Sequence, residues 1–184
     1  MIHRIIVVCI IGIIVCGCMT WTGIGGPYSN DSLNFEVTLP HDWNKYNPST
    51  KALLITRDGV SLQNITITRI ATDEELSFTK KKLATGMLPQ EVADIVIDNF
   101  VSNPNILEQT VIENVPAEIA GYPGFRIASS FKTQAGLIVN GITYGFLHDD
   151  FYYTLRYEAA STHYFAKDEE EFEKVKESFQ LINE

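Results

Sequence analysis

Nine residues near the C-terminus, Phe151-Tyr152-Tyr153-Thr154-Leu155-Arg156-Tyr157-Glu158-Ala159, alternate strictly between two kinds of side chain. In an extended chain Phe151, Tyr153, Leu155 and Tyr157 fall on one side, and Tyr152, Thr154, Arg156 and Glu158 on the other. That is the period of a half-buried strand, with one face core and the opposite face wet. Further strands are expected at Thr110 to Val115, Glu118 to Gly121, Phe125 to Lys132 and Leu137 to Leu147. Their connections are Gly121-Tyr122-Pro123-Gly124, Thr133 to Gly136 and His148-Asp149-Asp150. Links so short force antiparallel pairing, because a parallel crossover needs a dozen residues or more.

The N-terminal half repeats the pattern. Leu33, Phe35, Val37 and Leu39 alternate with polar residues and stop at Pro40. Ala52 to Arg57 then turns at Asp58-Gly59 into Gln63 to Ile70. Thr72 to Leu88 reads as a loop with a helical turn or two. From Pro89, Val92, Val96 and Phe100 with Ala93 and Ile97 form one apolar stripe, closed by Pro104. A last helix is expected to begin near Asp168, as cap, with Glu171 completing a capping box. Phe172, Val175, Phe179 and Ile182 form its buried stripe. The acidic cluster from Asp168 to Glu173 suits a helix N-terminus without a partner. Two helices and six to eight largely antiparallel strands give an α+β domain over residues 32–184, with the helices packed on the sheet.

All three cysteines stand in the first eighteen residues. His3 and Arg4 precede an uncharged run from Ile5 to Val15, about half as long as a bilayer-spanning helix requires. A positive start, a short apolar run and a small residue make a secretory signal. Val15-Cys16-Gly17-Cys18 resembles the lipobox of bacterial lipoproteins, with Cys16 an uncommon residue at its position. The resemblance implies removal of residues 1–17 after Gly17, acylation of Cys18 and a lasting membrane anchor. With Met19 rather than Asp next, it implies export to the outer membrane, with the domain in the periplasm. The alternatives are an ordinary secretory signal cut elsewhere and an uncleaved anchor. Residues 18–31, rich in glycine from Gly23 to Gly26, are expected to be a lipidated start and flexible tether.

Acylation at Cys18 leaves the domain without a free thiol, which excludes disulfides, zinc–thiolate sites and cysteine nucleophiles. The chain carries 14 basic and 23 acidic residues, a net charge of −9, and −10 once Arg4 is lost. That balance excludes nucleic acid as an expected partner.

No phosphate-cradling glycine loop, nucleophile elbow or His-Glu-x-x-His is present, so no catalytic residue, cofactor or metal site is expected. His41, His148 and His163 are widely separated. His148 with Asp149 and Asp150 reads either as an acid–base cluster or as a polar hairpin tip. Lys80-Lys81-Lys82 reads as a grip on an acidic partner or as a solvated face. Trp43, Tyr122, His148 and Tyr152 are the candidate binding surface. A tryptophan placed as Trp43 is more often a core plug, and Tyr152 is sent by the alternation to the wet face.

"FEVTLPHDW", a central helix, a long hairpin region, "FYYTLRYEA" and a terminal "ESFQLI" together resemble the Mog1/PsbP-like superfamily of α/β/α sandwiches. "TKKKLATGMLPQE" and "GYPGFR" are similar to segments of uncharacterised bacterial lipoproteins. The resemblance implies a binding or assembly module, and no functional residue is carried over from it. Three functions are therefore weighed: a non-enzymatic module for a periplasmic or outer-membrane protein, a small-ligand carrier with a pocket between sheet and helix, and a hydrolase using His148.

Overall fold

The computed structural model describes residues 20–47 and 51–182. The signal segment, Gly17 and Cys18 lie outside the described residues. The strands are β1 (Trp21–Asn30), β2 (Phe35–Tyr46), β3 (Ala52–Thr56), β4 (Gln63–Ala71), β5 (Ile106–Ile119), β6 (Tyr122–Thr133), β7 (Ile138–His148), β8 (Phe151–Ala160) and β9 (Gln180–Leu181). The helices are α1 (Pro89–Val101) and α2 (Tyr164–Ser178). The sheet runs β1-β2-β3-β4-β8-β7-β6-β5 with β9 paired to β2, and each pairing is antiparallel. This is the expected α+β architecture.

One helix covers each face. On the α2 face, Ile65, Ile67, Tyr153, Leu155 and Tyr157 meet Phe172, Val175 and Phe179 in the larger core. On the other face, Phe125, Ile127 and Tyr152 meet Leu83, Val92 and Ala93 in a smaller one. Pro89 opens α1 and the Glu91 carboxylate accepts the Leu88 amide at 2.8 Å, satisfying one donor that the first turn leaves unpaired.

Several expectations need correction. Trp21–Asn30 is not a tether but an edge strand, paired with β2 along its length, its Trp21 ring 5.0 Å from Tyr46. Backbone hydrogen bonds to β2 override the flexibility that its glycines suggest. Pro40 does not end β2. The chain bulges there, with register shifting between Ile24 and Gly26 and Asp42 at φ 63°, and the strand runs on to Tyr46. The two short strands expected between Thr110 and Gly121 are one long β5, twice bulged.

Asp168 does not cap α2. The helix begins four residues earlier, and Asp168 lies buried inside it. Its carboxylate accepts the Gln63 amide at 2.6 Å and pairs with Arg57. Gln63 accepts in turn the Asp58 backbone N–H at 2.8 Å, and Lys167 donates to Asp58 at 2.7 Å. The hydrogen bond from Lys167 holds the Asp58 carboxyl below its usual range. The helix also stops before Ile182. The Ser178 hydroxyl accepts the Thr38 amide at 3.0 Å, and the chain leaves extended to pair Gln180 with Glu36.

Burial gives the tyrosines a measurable signature. Burial, then the hydrogen bond to Glu173, pushes Tyr144 up to about 12, and burial raises Tyr152 and Tyr157 as well. Each folded value lies above the unfolded one, so the unfolded chain ionises first as pH rises. Stability is expected to hold up to the ordinary tyrosine value of 10.0 and to fall as pH climbs toward about 12. Circular dichroism followed alongside phenolate absorbance checks this. Ionisation of every tyrosine near 10 with the fold intact would contradict the burial.

Candidate functional site

The four candidate surface residues separate. Trp43 is buried in the α2-face core. Tyr152 does lie opposite Tyr153, as its alternation requires, but α1 covers that face and the residue is only 3 % exposed. Both therefore pack the interior. Tyr122 and His148 come together, their rings 4.7 Å apart, with Tyr122 also stacked on Phe146 at 5.3 Å.

Strand register explains where they meet. Phe151 lies opposite His148 on β7 and opposite Ala71 on β4. One step inward, Tyr153 lies opposite Phe146 and opposite Arg69. Phe179, the residue after α2, packs on Phe146 and Tyr153. The Phe151–His148–Tyr122 row thus sits just past the end of the helix, where the core side of the sheet becomes half-exposed.

Arg69 closes this row, although no motif in the sequence marks it. Its guanidinium carbon stands 3.5 Å from the Phe151 ring centroid and 5.8 Å from that of Tyr153. Its Nε is buried without an acceptor, and so are the Tyr153 hydroxyl and the Trp43 indole N–H. Arg57, Arg126 and Arg156 each face a carboxylate, of Asp168, Glu113 and Glu158. Arg69 is the one arginine among the described residues with none. The signal was available: Ile65, Ile67 and Arg69 share one parity on β4, so a cation occupies a core-facing position.

The acid–base reading of His148 meets a different geometry. His148 Nε2 is 3.4 Å from Asp149 at the exposed tip, while the Asp150 carboxylate accepts the Thr85 hydroxyl at 2.6 Å. The three side chains do not converge on one point. Among the described residues no group of three or more His, Cys, Asp or Glu is placed to hold a metal ion.

A second feature lies on the other face. Between α1 and the sheet runs a groove of about 520 Å³. Register sets its floor in rows: Thr68 beside Thr154, Thr66 and Thr143 on either side of Arg156, and Glu158 and Ser129 on either side of Gly141. Its wall is apolar, from Val96, Ile97 and Phe100 of α1 and from Leu76 and Phe78 of the preceding loop. Two of the floor hydroxyls, Thr68 and Thr154, bond one another at 2.5 Å.

Solved structures share this arrangement. The yeast Ran-binding protein Mog1p of Saccharomyces cerevisiae superposes with TM-score 0.58 at 6% identity, over 88% of this chain and 97% of its own. PsbP of the cyanobacterium Synechocystis gives 0.54 at 12%, over 91% and 95%. The fold is Mog1/PsbP-like. LpqN of Mycobacterium tuberculosis, described as involved in cell envelope biogenesis, has the same fold, with TM-score 0.52 at 13% identity over 88% and 90%. A Bacteroides thetaiotaomicron structure is matched at 0.55 and 13% identity over 85% of this chain, which spans about half of it, 48%. No protein-family model matches the chain, and no curated protein matches it in sequence. At these identities the Mog1/PsbP-like likeness concerns the fold alone.

Proposed function

We propose that this chain is a membrane-tethered, non-enzymatic binding module. In this reading the leader is removed after Gly17, Cys18 carries lipid, and the domain works in the periplasm at the outer membrane. It binds an envelope protein through the half-exposed row of Tyr122, His148, Phe151 and Arg69. The observation that carries the reading is this row, where aromatic rings and an arginine, the residue types enriched at binding hot spots, cluster on one rigid sheet end. Two proteins of the same fold lend direction: one is named Ran-binding, the other described as acting in cell envelope biogenesis.

A photo-reactive residue at position 148 in living cells tests the reading. A discrete cross-linked protein is expected there, lost when Tyr122→Ala is added, together with an acylated residue 18 by mass spectrometry of the purified chain. Equal cross-linking from the Glu118 edge of β5 would refute the assigned surface, and an unmodified Cys18 would refute the anchor.

The groove favours a second reading, a small-ligand carrier. Its volume of about 520 Å³ falls within the size of ordinary ligand pockets. A small molecule retained in native mass spectrometry and displaced by Gly141→Leu on the groove floor would put that reading first.

A further inference from the structure

We propose that Arg69 receives a carboxylate, the side chain of an aspartate or glutamate presented by a docking protein. The proposal rests on the binding-module reading above and names the chemistry of its partner.

A half-buried guanidinium gives up hydration and ordinarily recovers it from an acidic partner and hydrogen bonds. Arg69 recovers neither. Its side chain has no ion pair and no hydrogen bond among the described residues, in a chain whose acidic residues outnumber its basic ones by nine. With carboxylates in such excess, the lack of one beside this arginine is a property of the site. Stacking on Phe151 holds the guanidinium plane but satisfies none of its N–H groups. A second orphan donor, the Tyr153 hydroxyl, belongs to its cross-strand neighbour on the same face. Both of these atoms are enclosed, so an acceptor from outside meets Arg69 at its Nη groups, which the fold leaves without a partner among the described residues.

Charge selects which one. No second arginine or lysine stands in the row over which Arg69 reaches, which contains Ala71, Phe151, His148 and Tyr122. One fixed positive charge balances a monoanion, and the edge of a stacked guanidinium presents the two parallel N–H groups that a carboxylate accepts. A phosphate dianion in so acidic a protein needs more cations than the row supplies. Phe151, half-buried, flanks the guanidinium, and Tyr122, two strands further along the same sheet end, extends the apolar surface for the partner's backbone.

The test follows the Arg69 Nε–H signal by nitrogen-15 NMR at matched ionic strength. The titrants are a blocked alanine–glutamate–alanine tripeptide, its glutamine twin, sodium acetate and sodium phosphate. A saturable shift with the glutamate peptide, at least about tenfold weaker for the glutamine twin and for acetate, is expected. In Arg69→Met the peptide's perturbation of the Tyr122 and Phe151 ring signals is expected to vanish while the thermal midpoint stays level or rises, because an uncompensated charge has been removed. An equal response to the glutamine twin overturns the proposal. So does a response to phosphate alone, or one to acetate as strong as to the peptide, which marks a small-anion site. A midpoint lowered by more than about 5 °C in Arg69→Met overturns it too, by showing that the cation serves the free fold. No response to the peptide, with the cross-link at position 148 retained, refutes the carboxylate and leaves the binding module standing.

Discussion

Asp168→Ala is expected to lower stability by about 3 kcal/mol, the low end of what breaking a buried ion pair costs. The low end applies because Arg57 keeps 28% of its side chain exposed whereas Asp168 keeps 1%. The loss is more than one contact. Asp168 joins α2 to the β3–β4 hairpin through Arg57 and Gln63, and its removal leaves a buried amide N–H and a guanidinium short of acceptors. Unfolding in urea measures it, as a lower midpoint with an unchanged slope. Arg57→Met combined with Asp168→Leu is expected to recover most of the loss, since apolar replacement of both partners removes the desolvation cost along with the attraction. If the double variant is as unstable as the single one, the network supplies positioning that packing cannot replace.

Gly124→Ala is expected to cost about as much, near 3 kcal/mol, through overpacking. Gly124 lies on β6 where a Cβ would fall onto the Gly145 carbonyl oxygen and 2.7 Å from Ile119 Cδ1. A backbone carbonyl inside a paired ladder cannot step aside. At Gly145 the obstacle is the edge of the Phe125 ring, with the Tyr152 hydroxyl at 2.9 Å, and rings rotate. At Gly141 the nearest atom is the Ser129 hydroxyl at 3.2 Å. The three alanine variants should therefore rank Gly124, Gly145, Gly141 in decreasing damage by urea midpoint. A reversed order would mean that ring packing constrains the sheet more than its backbone does.

The strands were legible because period-two alternation depends only on which face is covered. β8 matches its expected start and ends one residue later, and α1 starts at the expected proline. Failures came where a side chain's role is set by something distant in sequence. Asp168 has the composition of a cap, but its partners Arg57 and Gln63 are about a hundred residues away. Taken by itself, the alternation of β8 sends Tyr152 to a wet face. The apolar stripe of α1 also needed a surface to cover, and that surface is the one carrying Tyr152. The glycines of β1 suggested slack, and no local pattern reveals that β2 stands ready to pair with them. Of the candidate site, Tyr122 and His148 stand out in the sequence as residues, without the register that unites them. Arg69 required asking why a cation follows Ile65 and Ile67 on the same side of a strand.

The pairing of β1 changes the geometry of any mooring at Cys18. Only Met19 and Thr20 separate that cysteine from Trp21, where the sheet begins. Three peptide units span about 10 Å at full stretch. If Cys18 carries lipid as proposed, a domain moored so closely would not roam on a leash: it would ride hull-down on the bilayer with its first edge toward the lipid, and a partner would have to approach from the flanks or from above.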